Sequence, residues 1–134
     1  MPDGRVLIDA FQVLCDSEYH AEWGEQKIAD YIIGPWLNDR LHVVYVEGQP
    51  ECMITWTYLP PDRERKYIDN PSSLNALDFE YQYGRLWVID YAAPYGSCKQ
   101  CAKEIRKMAR SWWGRGVKAR IFRTEQNRLG WMVT

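Results

Sequence analysis

The stretch RLWVIDYAAPYGSCKQCAKEIRKM, residues 85–108, joins a strand pattern to a helix pattern through one short turn. Residues 85–92 are rich in β-branched and aromatic side chains, as a strand requires. Pro94 presets a turn, Gly96 lets the backbone approach a ligand closely, and Ser97 is a helix-capping residue type. From there apolar residues fall at Cys98, Cys101, Ile105, Met108 and Trp112, with Lys99, Lys103, Arg106, Lys107 and Arg110 between them. That spacing predicts an amphipathic helix with a basic outer face. A strand turning tightly into a helix leaves backbone N–H groups unpaired at the helix start, and with the helix dipole these attract an anion. A phosphate or phosphopantetheine group suits the position; an ordinary strand-to-helix turn is the plainer alternative.

On the N-terminal side, RVLIDAFQVLCDS puts Val6, Leu7, Ala10, Phe11 and Leu14 on one helical stripe. EQKIADYIIGPWLNDR carries Ile28, Tyr31 and Ile32 at the same spacing until Gly34-Pro35 interrupts or kinks it. Two helices therefore bracket His20. LHVVYVE and ECMITWTYL, separated by Gly48, Gln49 and Pro50, predict a hairpin, and PPDRERKYIDNP a short helix or turn. After the basic helix, Gly114 and Gly116 precede two closing strands, VKARIFR and LGWMVT, joined by a polar turn around Gln126-Asn127. The order helix-helix-β-β-helix-β-helix-β-β predicts an α/β (α+β) fold: one domain over 1–134, with a mixed, mostly antiparallel sheet flanked by helices. Such arrangements occur in the acetyltransferase (GNAT)-like fold.

Composition narrows the class. At 134 residues, 46% hydrophobic and 14% aromatic, the chain holds enough apolar material for one core and does not read as disordered. No apolar stretch approaches the roughly 20 residues of a membrane span, and no secretory leader precedes the first helix pattern, so a soluble, cytoplasmic protein is expected. Its four cysteines are then reduced thiols. The net charge of −1 conceals a division: residues 1–96 hold 7 basic and 16 acidic side chains, residues 97–134 hold 10 and 2. The basic third is either a solvated helix face or a surface for an acidic partner, protein or nucleic acid. Nucleic acid is disfavoured by the overall charge and the lack of a recognised module.

Two clusters bear on chemistry. Cys98 and Cys101 form a single CxxC with no second pair or spaced His pair, so core packing is preferred over zinc, and a redox site would need the first thiol exposed. His20 and Asp90 each end a regular element and are of the types used for proton transfer. A capping histidine and a turn-capping aspartate are the alternatives.

At these positions the chain resembles the RTX toxin-activating lysine acyltransferases. WVIDYAAPYG is similar to the family's Trp-aromatic/aliphatic-Ile-Asp-aromatic-x-Ala-Pro-aromatic-Gly signature, and SEYHAEW to its Ser-x-x-His-x-x-Trp segment. ITWTYL and ERKYI resemble its strand with Ser/Thr-Trp and the following Glu-x-Lys-Tyr-Leu/Ile. The likeness runs from near Val6 to about Arg123; the chain ends at Thr134, where members usually continue. The resemblance implies that His20 and Asp90 are a catalytic pair with Ser17 in support. It also implies that a fatty acyl thioester on the phosphopantetheine arm of acyl carrier protein is the donor. Pro94, Tyr95, Gly96, Ser97, Lys99 and Lys103 are the residues expected to receive that donor. The implied acceptor is an internal lysine of an RTX protoxin or another protein, with no metal and with frequent homodimers. An acyl-CoA donor, or a non-catalytic basic domain that recruits or inhibits an acidic partner, are the rival readings.

Overall fold

The computed structural model describes residues 2–96, 98–123 and 128–134. Helix α1 (Gly4–Cys15) is capped by the Asp3 carboxylate, which accepts from Arg5 N. A chain of turns leads to α2 (Glu25–Ile28), a π-helical turn (Ala29–Ile33) and α3 (Gly34–Leu37), which follow without a break. The expected interruption at Gly34-Pro35 takes this form because Pro35 has no N–H to donate backwards, and a wider turn accommodates the missing bond. Gly34 also lets the helix approach the next layer closely, since a Cβ there would lie 2.9 Å from Ala76 Cα.

Strands β1 (Leu41–Val46) and β2 (Gln49–Leu59) form the hairpin, followed by α4 (Pro61–Asp69) and a 3-10 turn (Ala76–Phe79) that the sequence pattern does not announce. β3 (Arg85–Ala92), α5 (Cys98–Trp113), β4 (Lys118–Arg123) and β5 (Arg128–Val133) complete the order. The polar turn expected at Gln126-Asn127 lies outside the described residues. The sheet runs β1-β2-β3-β4-β5, antiparallel except between β3 and β4. This mixed α/β arrangement is consistent with the acetyltransferase-like fold. Among the described residues no helix is long and apolar enough to cross a membrane.

The two faces of the sheet differ in what they bury. On one, Val44, Cys52, Ile54, Trp56, Leu86 and Val88 pack under Cys101 and Ile105 of α5. The buried row of α5 continues to Ala109 and Trp113, whereas Trp112, expected on that row, is 43% exposed and leans on Trp56 and His42 at its margin. Both Cys52 and Cys101 are fully enclosed there, as the packing reading of Cys101 requires; the Cys98 side chain lies outside the described residues. The other face carries α1 and the α2–α3 run over Val43, Met53 and Ala92, then Tyr31, Tyr67 and Phe79 over Leu59 and Trp87. Apolar burial at roughly 25 cal/mol per Å2 makes both faces cohesive. The second also buries a series of polar side chains: His20, Thr55, Thr57, Asp78 and Asp90.

Two irregularities of β3 bring this about. Opposite β2, Thr55 pairs with Asp90 and Trp56 with Val88, so Ile89 is one residue extra. Such a bulge reverses the alternation of side chains along a strand. Leu86 and Val88 face α5; an unbulged strand would send Asp90 the same way, and the bulge turns it to the α1 side. Opposite β4, the parallel ladder consists of Trp87↔Arg120 and Val88↔Ile121. Both strands continue past those pairs, and their carboxyl ends part.

Candidate active site

The parted ends enclose a cavity of about 820 Å3. One wall is the loop from Asp16 to His20, another is β3 from Val88 through Pro94, and the third comes from Ala102, Ile105 and Arg106 of α5. Phe122 and Trp131 close the side toward β4 and β5. Clefts at the carboxyl ends of parallel strands are recurrent ligand positions, because the diverging strands leave backbone groups and side chains directed into one space.

His20 sits 70 residues from Asp90 in sequence and in contact with it in space. Its Nε2 is 2.7 Å from Asp90 Oδ2 and 2.9 Å from Oδ1. A carboxylate only accepts, so the Nε2 hydrogen points at Asp90 and Nδ1 is left as the ring's acceptor. Ser17 Oγ lies 2.6 Å from Nδ1 and donates to it. Ser17 and His20 meet because the loop is a run of helix-like turns, with His20 N donating to Ser17 O at 3.1 Å and Trp23 N to His20 O at 3.1 Å. Tyr19 and Trp23 fix the ring from two sides, with centroids 4.9 and 4.6 Å away. The imidazole is nearly sealed: its side chain is 2% exposed and Asp90's is 8%. Ser17 is half-buried and is the member of the three that faces the cavity with some exposure.

The remaining expected positions divide. Pro94 lines the cavity, whereas Tyr95 and Gly96 lie beyond its lining. Gly96 has φ +80°, a conformation that favours glycine. The Tyr95 hydroxyl donates to Asp16 Oδ2 at 2.6 Å, with the Gln12 carbonyl 3.3 Å away, tying the β3–α5 turn to the end of α1. Burial and that carboxylate push the phenol up to about 12. Lys99 and Lys103 stand exposed on α5, and of the helix cations Arg106 is the one in the cavity wall. Ser97 lies outside the described residues.

One neighbour of the site has no local sequence signal. Thr55, fully buried on β2, stands directly opposite Asp90, and its Oγ1 has no hydrogen-bond partner among the described residues. No group of three or more His, Cys, Asp or Glu side chains among those residues is placed to hold a metal ion.

Comparison with known proteins places the chain in a family. The profile of the RTX toxin acyltransferase family matches residues 4–129. The leukotoxin-activating lysine-acyltransferase LktC serotype T3 of Mannheimia haemolytica is 32% identical over 116 residues, which cover 86% of this chain and 66% of that protein. The RTX-II toxin-activating lysine-acyltransferase ApxIIC of Actinobacillus pleuropneumoniae is 25% identical, over 87% of this chain and 72% of its own length. The protein-lysine myristoyltransferase RtxC of Kingella kingae is 31% identical, over 69% and 55%. The chain thus spans just under two thirds of the length of the leukotoxin activator and little more than half that of the myristoyltransferase. It belongs to the RTX toxin acyltransferase family.

Proposed function

We propose that this member of the RTX toxin acyltransferase family is a protein-lysine acyltransferase, a single acyltransferase unit acting in the cytoplasm. It moves a fatty acyl group from the thioester of acyl carrier protein to the ε-amine of a lysine within another protein, an RTX protoxin being the acceptor class that the relatives' names suggest. The observation that carries this reading is the Ser17–His20–Asp90 chain opening into a cavity between two parted parallel strands.

A lysine ammonium titrates near 10.4 and is not a nucleophile until it loses a proton. His20 has both ring nitrogens occupied, so the proton travels through Ser17. The ammonium gives a proton to Ser17 Oγ as the hydroxyl hydrogen passes to His20 Nδ1, and Asp90 balances the resulting imidazolium. The free amine attacks the thioester carbonyl and the C–N bond forms. Backbone N–H groups on the β3 edge that β4 leaves uncovered stabilise the oxyanion. Collapse breaks the C–S bond, the released thiolate takes up a proton from His20 by way of Ser17, and the amine's second proton passes to solvent. Thioester and amine become amide and thiol.

The donor side is basic. Lys99, Lys103, Arg106, Lys107 and Arg110 are exposed along α5, next to the wall that Arg106 contributes. An acidic carrier protein is steered to such a face, and steering weakens as salt screens it. The apolar lining from Ile54, Val88, Ile105 and Ile121 suits an acyl chain.

Transfer assays with acyl carrier protein and coenzyme A thioesters of the same acyl group, read by intact-protein and peptide mass spectrometry, test the reading. The expected result is an acyl increment on a lysine from the carrier-bound donor, declining with added salt. Transfer from the coenzyme A thioester alone replaces the donor. A basic face that binds an acidic protein while no acyl group moves from either donor overturns the enzymatic reading.

A further inference from the structure

Two threonines lie on the same face of β2, two residues apart, both wholly buried. Thr57 Oγ1 accepts from Arg40 Nη1 at 2.6 Å and donates to the Asp78 carbonyl at 2.9 Å, so its hydroxyl is fully used. Thr55 Oγ1 does neither. A buried hydroxyl without a partner is destabilising, and a valine of nearly the same shape would avoid the cost. The residue across the strand pair is Asp90. Side chains directly opposite in an antiparallel pair have Cβ atoms about 5 Å apart, within reach of a hydroxyl and a carboxylate.

Asp90 has acceptor capacity to spare. Its Oδ1 takes the long arm of the His20 bond and Tyr91 N at 2.9 Å, while Oδ2 accepts from His20 Nε2 at 2.7 Å. We propose that Thr55 is a positioning residue for the Ser17–His20–Asp90 chain: rotation about its Cα–Cβ bond brings the hydroxyl onto the Asp90 carboxylate as a second donor. The inference rests on the acyl-transfer reading for its purpose, not for its geometry. A carboxylate with a second donor is a weaker base, so the proton collected through Ser17 stays on the imidazole and remains available to the leaving thiolate. The same donor fixes the carboxylate plane and, through Nε2, the ring tautomer that leaves Nδ1 facing Ser17.

The other titratable groups that face the pair are two phenols, two loop carboxylates and, from α5, Arg106. Tyr19 abuts the His20 ring, and Tyr67 of α4 is held above the usual phenol range by burial first, then by Tyr31 and Asp90. From the loop, Asp16 and Glu18 line the cavity.

The test uses the full chain and the variants Thr55→Val and Thr55→Ser. Each is followed by thermal unfolding, by 15N NMR titration of the two imidazoles, and by turnover with carrier-bound donor and a lysine acceptor. For Thr55→Val the expected outcome is a folded protein with kcat reduced about tenfold, on the order of one hydrogen bond to a charged group. His20 should titrate at higher pH, because a carboxylate without its second donor holds the imidazolium more strongly, while His42 should not move. Thr55→Ser should restore the His20 midpoint and most of the turnover. A valine variant with parent-like titration and turnover overturns the proposal and leaves Thr55 a packing residue. A valine variant that loses stability while the His20 midpoint stays at the parent value shows a hydroxyl bonded elsewhere, and also overturns it. Should the parent itself transfer no acyl group, the functional reading fails, and the His20 titration alone still decides the role of Thr55.

Discussion

Asp78 and Asp90 are both buried carboxylates on the same face of the same sheet, each with one basic side chain against it, yet their surroundings are opposite in kind. Asp78 accepts from Arg63 twice, at 2.7 and 2.8 Å, and from Asn75 N at 2.8 Å, while Arg63 also donates to the Ser73 carbonyl. Its carbonyl takes the Thr57 hydroxyl, which in turn accepts from Arg40. That cluster clamps the 3-10 turn onto β2 and α4 and leaves little unmatched. Asp90 instead pairs with a side chain able to gain and lose a proton, connects through it to a half-buried hydroxyl in a cavity, and faces a threonine with no partner among the described residues. A closed network specifies one arrangement, whereas a network with spare valences can take on and release a proton without first breaking its own bonds.

The contrast predicts crossed effects. Asp90→Asn keeps the shape of the side chain and removes its charge; His20→Gln keeps polarity in place of the ring. Either should lower acyl transfer by about 10²–10⁴-fold, the usual scale for a lost proton-transfer group, with secondary structure intact by circular dichroism. An Asp90→Asn enzyme with parental turnover would erase the distinction between the clusters. Arg63→Met should do the reverse. It leaves Asp78 buried without its cation and should cost about 3 kcal/mol of stability by urea unfolding, with turnover per folded molecule near the parent's. Activity lost at full stability would mean that the clamp reaches the cavity.

A smaller effect marks the α5 face, which buries few polar groups. His42 is partly buried there beside Trp112, and burial holds its imidazole below the usual range. The unfolded chain therefore binds this proton more readily than the folded one. The stability contributed by the neutral ring is complete above the unfolded value near 6.5 and is lost as pH falls through the folded value. Urea midpoints at pH 7.5 and 5.5 should differ less in His42→Phe than in the parent; an equal acid shift in both proteins would assign the slope to other groups.

Much of the architecture was legible from local pattern. The apolar spacing of residues 6–14 and 101–109 marks two helices, the β-branched runs on either side of Gly48 mark a hairpin, and Pro35 marks a disturbance that becomes the π turn. Ser17 and His20 are also close neighbours by sequence, because a spacing of three in a helical turn puts them on one side. Helix and strand patterns are written within a few residues, so their periodicity survives in the sequence alone. The 3-10 turn escaped because four residues with a capping box carry no period.

What only tertiary structure decided is which groups meet. Whether Asp90 faces α5 or α1 depends on a single extra residue, Ile89, and no local signal distinguishes a bulged strand from a regular one. The Tyr95 hydroxyl meets Asp16, 79 residues away in the chain. Thr55 and Thr57 are alike in type, neighbours and period, and differ only in what lies across the sheet. Register and the parting of β3 from β4 are settled by packing summed over both faces at once, and that sum has no counterpart in any short window of the chain.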